Sequence, residues 1–419
     1  MAAPLSIGQR AGRYREAFGL RREEVAEAVG RSREWLRSLE GGGLQLDRYT
    51  MIHALADALG TDPGDLLLPP DSHGDPQLRR ARRTVPALRH ALLRVDLPPA
   101  AEPAQDRPAE ADPLRRGVDE ARRLQRDARY DDLGLLLPPL LDGLRGAAAD
   151  ASGDDRAVAL YLLGETLHLA STLTRRLGRT DLAALAAAEA LHTAIATGDP
   201  LQVTAADWLR AEVCAAVGAA DEARALVAGG LDRLDGLLGR TGLDAAADRG
   251  AGSDRALWSL WGMLHAVAAV LEAQRGRQAE AADHLAGAAG AAGRLGAPAV
   301  DLLGPAPIAE FSAAEAAVHS VHAALELGED LEALERIAAV DLTVLPRGRR
   351  ARHGIDRARV HARAGDDDAA LRELLAADRF APQAVRAHPL VPELVLAAAR
   401  RGRASTAADE AAAHLGVEL

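Results

Sequence analysis

The sequence predicts an all-α protein, on three observations. Alanine, leucine, glycine and arginine dominate the 419 residues and aromatics make up only 3%, so cores must be built from small aliphatic side chains, which suits closely packed helices better than sheets. From Leu114 to the C-terminal end, apolar residues recur almost without interruption at helical spacing. One turn pattern, a glycine followed five residues later by alanine, recurs five times in that stretch. The length and a hydrophobic content of 48% support two or three separate cores.

The elements follow in order. Ser6 to Phe18 reads as a first helix, and Arg22 to Val29 as a second with Val25, Ala26 and Val29 on one face. Gly30 ends it. Ser32 is a good N-cap for a third helix, Arg33 to Leu39, whose Leu36 and Leu39 point inward while Arg33, Glu34, Arg37 and Ser38 point outward. Asp47 is placed to cap a fourth helix ending at Leu59, and Thr61-Asp62-Pro63 opens a short fifth. The prolines and acidic residues after Leu66 to Pro70 close this first unit, residues 1–70. Residues 71–113 come next: an Arg-dense segment, Leu78 to Val95, with one or two short helices, then a Pro- and acid-rich connector, Asp96 to Pro113. In the Arg-dense segment, Arg79, Arg80, Arg82 and Arg83 either add phosphate contacts or form a solvated helix face.

In the long second part, residues 114–419, the five turns are Gly178/Ala183, Gly218/Ala223, Gly276/Ala281, Gly328/Ala333 and Gly365/Ala370. Glycine accepts the left-handed conformation that ends one helix, the acidic residue after it favours the next N-terminus, and alanine lets two helices cross closely. Each turn therefore predicts a helical hairpin. Long loops are expected over Gly239 to Gly252 and Ala297 to Pro307.

The run IGQRAGRYREAFGLRREEVAEAVGRSREWLRSLEGGG, continued by LADALGTDPGDLL, resembles the five-helix, lambda-repressor-like helix-turn-helix domain of the XRE and phage-repressor-like transcription factors over residues 5–68. In that family the third helix lies in the major groove. The resemblance implies DNA contacts by Arg22, Ser32, Arg33, Glu34, Arg37 and Ser38, with Arg33 suited to guanine O6 and N7. Glu34 either accepts from cytosine N4 or stands in solvent. Arg21-Arg22 replaces the usual Ser-Gln, so the serine cap is lost while Arg22 keeps reach to a phosphate. It also implies a buried ion pair between Arg15 and Glu40.

The hairpin turns resemble those of tetratricopeptide repeats, although their intervals of 37 to 58 residues exceed the regular repeat of about 34. The implied fold is an α-solenoid whose concave surface takes a peptide, a partner helix or a small molecule. Candidate ligand-contacting residues are the large or polar ones inside aliphatic helices: His168, Trp208, Trp261 and His265, then Phe311, Glu315, His319 and His322. An XRE-like domain joined to such repeats is similar to ligand- and peptide-sensing regulators of Gram-positive bacteria, and more narrowly to long XRE and tetratricopeptide regulators of actinobacteria. There a segment F-G-P-T-N-V-x-x-H stands where this chain has FSAAEAAVH, which keeps Phe311 and His319 but puts Glu315 in place of asparagine.

The net charge of −11 opposes DNA binding overall, but Ile7 to Gly43 hold eight arginines against six acidic residues. A single such domain neutralises few phosphates, so a homodimer on two half-sites is expected. No lysine occurs, and every cationic contact falls to arginine or protonated histidine. A single cysteine, Cys214, fits a reducing compartment and a buried thiol. The apolar run Ala256 to Leu271 is shorter than the roughly 20 residues of a membrane span. No Walker loop, H-E-x-x-H or G-x-S-x-G is present, and His319 with His322 lacks a third ligand at a telling spacing. The expectation is a cytoplasmic, nucleoid-associated DNA-binding regulator without enzymatic activity, metal or cofactor, controlled by a peptide or small molecule. The rival is a repeat-type adaptor whose helix-turn-helix is structural.

Overall fold

The computed structural model describes residues 5–67, 76–94, 111–240, 251–296, 311–401 and 406–419, and they contain helices and no strand. The first five helices are α1 (Ile7–Ala17), α2 (Arg22–Ala28), α3 (Arg33–Glu40), α4 (Tyr49–Leu59) and α5 (Pro63–Leu67). Ser6 and Gln9 close a capping box on α1, and Ser32 Oγ accepts from the Trp35 N–H at 3.1 Å to cap α3. At the head of α2, Glu24 reaches back to the Arg21 N–H at 3.0 Å, which supplies half of a capping box without the serine. Asp47 does not cap α4, contrary to expectation. Arg48 occupies the N-cap position, and the Asp47 carboxylate instead receives Arg363 at 2.7 and 3.1 Å, a charge-assisted pair stronger than a bond to a neutral N–H.

The Arg-dense segment forms α6 (Pro76–Arg83) and α7 (Val85–Leu92), whose Leu78, Ala81, Leu88 and Leu92 are buried in the core shared with α9 (Tyr130–Asp150). The expected connector lies mostly outside the described residues, and α8 (Ala111–Arg126) begins at its end. The body then continues as antiparallel hairpins. These are α10 (Gly153–Arg176) with α11 (Thr180–Thr197), α12 (Pro200–Ala216) with α13 (Ala220–Arg240), and α14 (Ala251–Gln274) with α15 (Gln278–Leu295). Next come α16 (Ala313–Leu327) with α17 (Asp330–Ala338) and α18 (Arg347–Arg363) with α19 (Asp367–Phe380). All five turn glycines have φ between 71° and 85°, and the alanine that follows each is at most 2% exposed. The turn between α8 and α9 is made without glycine, by Ala128 at φ 55°.

Two expectations about length need comment. The long loops fall largely outside the described residues. Arg255–Gln274 in α14 is long and apolar enough to cross a membrane, more than the sixteen-residue run suggested, but 72% of its most apolar window is buried, as expected of the inner helix of a hairpin. Cys214 is half-buried, and burial pushes its thiol pKa up.

The chain ends in α20 (Pro382–Arg386), α21 (Leu390–Arg401) and α22 (Thr406–Leu415). These helices bring the end of the array back to its beginning. α20 packs on α6 and α18 on α8, while Gln383 donates to Asp131 Oδ1 at 2.7 Å and accepts the Asp131 N–H at 3.0 Å. The array therefore closes on itself.

The helix-turn-helix unit sits on this closed body through one side. Leu390 of α21 completes its core, beside Ile7, Leu36, Leu39, Ile52 and Leu55. Around that apolar contact runs a polar seam. Thr50 donates to Glu326 at 3.3 Å, the buried Arg359 donates to the Asp47 carbonyl at 2.8 Å, and Arg400 reaches the Gly42 carbonyl and Gln9. Glu393 accepts the Ile7 N–H and lies 3.6 Å from Arg10, yet burial pushes its carboxyl up to about 7. The docked state thus keeps a proton that a solvated Glu393, titrating near 4.5, gives up. Docking is strongest below that value and weakens as pH rises toward about 7. Melting followed from about pH 5 to about pH 8 should show Glu393→Gln gaining stability relative to wild type as pH rises. A constant difference would contradict this.

Candidate nucleic-acid interface and interior cavity

Helices α2 and α3 keep a polar face open to solvent, with Arg21, Glu23, Glu24 and Glu27 exposed at α2. In α3, Leu36 and Leu39 are fully buried while Arg33, Glu34 and Arg37 are exposed and Ser38 is half-buried. Trp35 packs at the edge of the core with the Arg31 guanidinium 5.7 Å from its ring centre. The first turn of α3 leaves N–H groups unbonded within the helix, and Ser32 takes only that of Trp35. Ser32 thus serves as the cap. Arg33 pairs with Glu23 at 2.9 Å and Arg37 with Glu34 at 2.7 Å. Such exposed pairs are worth at most about 1 kcal/mol and yield readily to a base or phosphate.

Two of the eight arginines are not available to DNA. Arg10 is buried beside Glu393, and Arg15 binds Glu40 through two bonds, with Nη2 to Oε2 at 3.0 Å. Arg22 shares that carboxylate at 2.6 Å, and its side chain remains 37% exposed. Burial opposes the charge on Glu40, but the two guanidiniums prevail and hold its carboxyl below the usual range. The pair ties α1 to the end of α3 and so fixes that helix. Glu40→Gln should lower stability at neutral pH by about 1–2 kcal/mol, read from a urea titration, with the difference shrinking as acid protonates the wild-type residue. Equal midpoints would show that the pair does not hold the unit together.

The ligand candidates divide into three groups. His319 and His322 line a cavity of about 1090 Å³, open to solvent on part of its surface, between the helix-turn-helix unit and the body. Tyr49 and His53 of α4 face it from one side, and Arg175, Arg176, Arg349 and Arg352 belong to its body side. Burial, reinforced by the nearby Arg349, lowers His319 to about 4, so its ring is neutral, and its Nδ1 lies 2.9 Å from the Glu315 carbonyl. His168, Trp208 and Glu315 share an adjoining cavity of about 210 Å³ that meets the first at Arg175, Arg176, Glu212 and Arg349. There His168 stacks 5.0 Å from Trp208, and burial lowers its pKa to about 4. Glu315 pairs with Arg349 at 3.1 Å, and burial raises its pKa.

Trp261, His265 and Phe311 are not brought to either cavity. Trp261 donates to Asp235 at 2.9 Å and lies 4.0 Å from the His265 ring, which meets His284 at 2.9 Å. Phe311 is 4% exposed and packs over Gly262, where an added Cβ would fall 2.4 Å from its ring. Among the described residues no group of three His, Cys, Asp or Glu is placed to hold a metal. The arginines of α10 and α18, which dominate the large cavity, were not singled out from the sequence. Their signal was present in Arg175-Arg176 and in the run RGRRAR at the start of α18, charges set inside helical patterns with no surface function assigned.

Residues 6–68 match a family model described as a helix-turn-helix domain. No curated protein and no solved structure matches the chain.

Proposed function

We propose that the chain is a sequence-specific DNA-binding transcriptional regulator that acts as a homodimer, and that a peptide or small molecule bound in its helical body controls it. One observation carries this reading. The helix-turn-helix unit is fixed to the body through α1, α4 and the segment between α3 and α4, which leaves the polar face of α3 exposed, the face that the matched domain type presents to DNA. Counting only α2, α3 and the turns beside them, Arg21, Arg22, Arg31, Arg33 and Arg37 stand against Glu23, Glu24, Glu27, Glu34 and Glu40. The absence of any net positive charge there supports pairing of two chains on one site, where the phosphate contacts double.

Ligand control is supported by where the large cavity lies. Its wall includes α4 of the DNA-binding unit as well as helices of the body, so an occupant touches both and shifts their relative position if it favours one arrangement. We read the hairpins as tetratricopeptide-like repeats and place the protein in the cytoplasm on the nucleoid, acting by binding and not by catalysis. An adaptor reading draws on the shared core at Leu390, which a structural cap would also need. Selection of duplexes from a random pool by the full chain separates the two. A recurring motif with two half-sites, bound by two chains, is expected of the regulator. Failure to enrich any sequence at low salt would favour the adaptor.

A further inference from the structure

The body side of the large cavity carries Arg175, Arg176, Arg349, Arg352 and Arg386 against Asp181, Glu212, Asp356 and Glu418, a small positive excess. Arg175 is bound to Glu212 at 2.6 Å and Arg386 to Asp378 at 2.9 Å. Asp356, on the same helix as Arg352, is taken by Arg359 at 3.0 Å. Asp62 and Asp65, at the DNA-binding side, accept from the Gly64 N–H and the Thr61 hydroxyl. Arg176 and Arg352 line this cavity half-buried, and among the described residues neither is joined to a carboxylate by a salt bridge or hydrogen bond. Asp356 acts on Arg352, and Glu212 and Glu315 on Arg176, only through space, since each of these carboxylates is bonded to another arginine, so both guanidiniums keep N–H groups for an arriving anion.

A third group stands beside them. His388 is 7% exposed and lines the same cavity. Its Nδ1 accepts the Leu390 N–H at 3.3 Å, which places the proton of the neutral ring on Nε2, and Nε2 has no acceptor among the described residues. Burial, then Arg352, Arg359 and Arg176 against Asp356, hold its pKa well below the usual histidine value, and His388, Arg352 and Arg176 all line this one cavity. An aliphatic part of the wall comes from Val267, Val270 and Leu271 of α14, Val318 of α16, and Leu415 and Val417 near the C-terminal end, with polar groups such as Gln274 and Thr180 between.

We propose that this cavity binds a small organic anion with an apolar body, its carboxylate or phosphate held by Arg176 and Arg352 beside the Nε2–H of His388. The volume of about 1090 Å³ suits one such molecule. Guanidiniums fit either head group through paired N–H bonds, and the aliphatic wall takes the rest. This deepens the ligand-control reading and rests on it only for the effect on DNA. The binding itself stands or falls separately.

The test uses the full chain and a fluorescent anion, 8-anilinonaphthalene-1-sulfonate, with the uncharged N-phenyl-1-naphthylamine as its control. The double variant Arg176→Gln/Arg352→Gln should bind the sulfonate about tenfold to a hundredfold more weakly and the neutral dye equally well. If that variant does not fold, Arg176→Lys/Arg352→Lys and competition on the wild-type chain replace it. Decanoate or decyl phosphate should displace the sulfonate from wild type, and the better competitor names the head group, while 1-decanol should not. Sulfonate binding indifferent to the arginine pair, or displacement by 1-decanol as effective as by decanoate, overturns the proposal. A chain that selects no DNA but keeps the arginine-dependent dye site refutes the regulator reading and leaves the anion site in place.

Discussion

Arg359→Leu is expected to lower the stability of the chain by about 3–5 kcal/mol, among the largest losses available to a single substitution here. Arg359 is fully buried in α18 and binds Asp356 and Glu326, each at 3.0 Å, and the backbone carbonyl of Asp47 at 2.8 Å. Burial disfavours ionised Glu326, but His322 and Arg359 hold its carboxyl down at about 2. Asp356 is likewise held well below the carboxylate range against burial, by His322, Arg352 and Arg359. Leucine fills the space but leaves these carboxylates facing each other without their shared cation. Because Asp47 opens the segment that leads into α4, docking of the DNA-binding unit should loosen with the body. The wild-type contribution is complete above the ordinary carboxylate range and is lost as pH falls from there toward about 2, so the penalty of the variant should shrink in acid. A urea titration at neutral pH reads the effect, and an unchanged midpoint would show that the buried network does not join the two parts.

Arg33→Ala is expected to weaken binding to a selected DNA site by about tenfold to a hundredfold, the range for losing one bidentate base contact, while leaving stability nearly unchanged. The side chain is 63% exposed and engages only Glu23, so its removal costs the fold little. Preference should relax at one base position in each half-site. Arg22→Ala should behave differently, because its Nε also holds Glu40, the carboxylate that fixes Arg15. It should weaken all sequences alike and lower the melting temperature slightly. If Arg33→Ala left both affinity and base preference intact, another element of the chain would have to be the reader.

The helix-turn-helix unit was legible almost residue by residue because its signals are local. The cap at Ser32, the glycine stop at Gly30 and the inward leucines at Leu36 and Leu39 all act within one or two turns of helix. The five hairpins were legible for the same reason, since a left-handed glycine and a buried alanine mark each bend. The turn at Ala128 gave no such mark, because an alanine forced to positive φ looks like any helical alanine in sequence.

What the sequence could not show were contacts made across hundreds of residues. Asp47 looks like a cap until Arg363 is seen beside it, and Leu390 looks like a core residue of its own helix although it completes a core that begins at Ile7. The ligand candidates show the same limit. Large and polar residues inside aliphatic helices look like wall positions in sequence, yet Trp261, His265 and Phe311 serve helix packing, while the arginines that line the cavity come from helices separated by more than 170 residues. Only closure of the helical array brings α10 and α18 together.

The claim that α3 enters the groove while α1 and α4 stay docked is tested most directly by amide hydrogen exchange on the full chain, with and without a selected duplex. The N–H groups at the start of α3 have no helical acceptor, so they exchange freely in the unbound chain unless DNA covers them. Slowed exchange confined to the Gly30 to Leu39 segment and the neighbouring head of α2, with α4 unchanged, is the predicted result. Slowed exchange elsewhere, with the head of α3 unaffected, would contradict it.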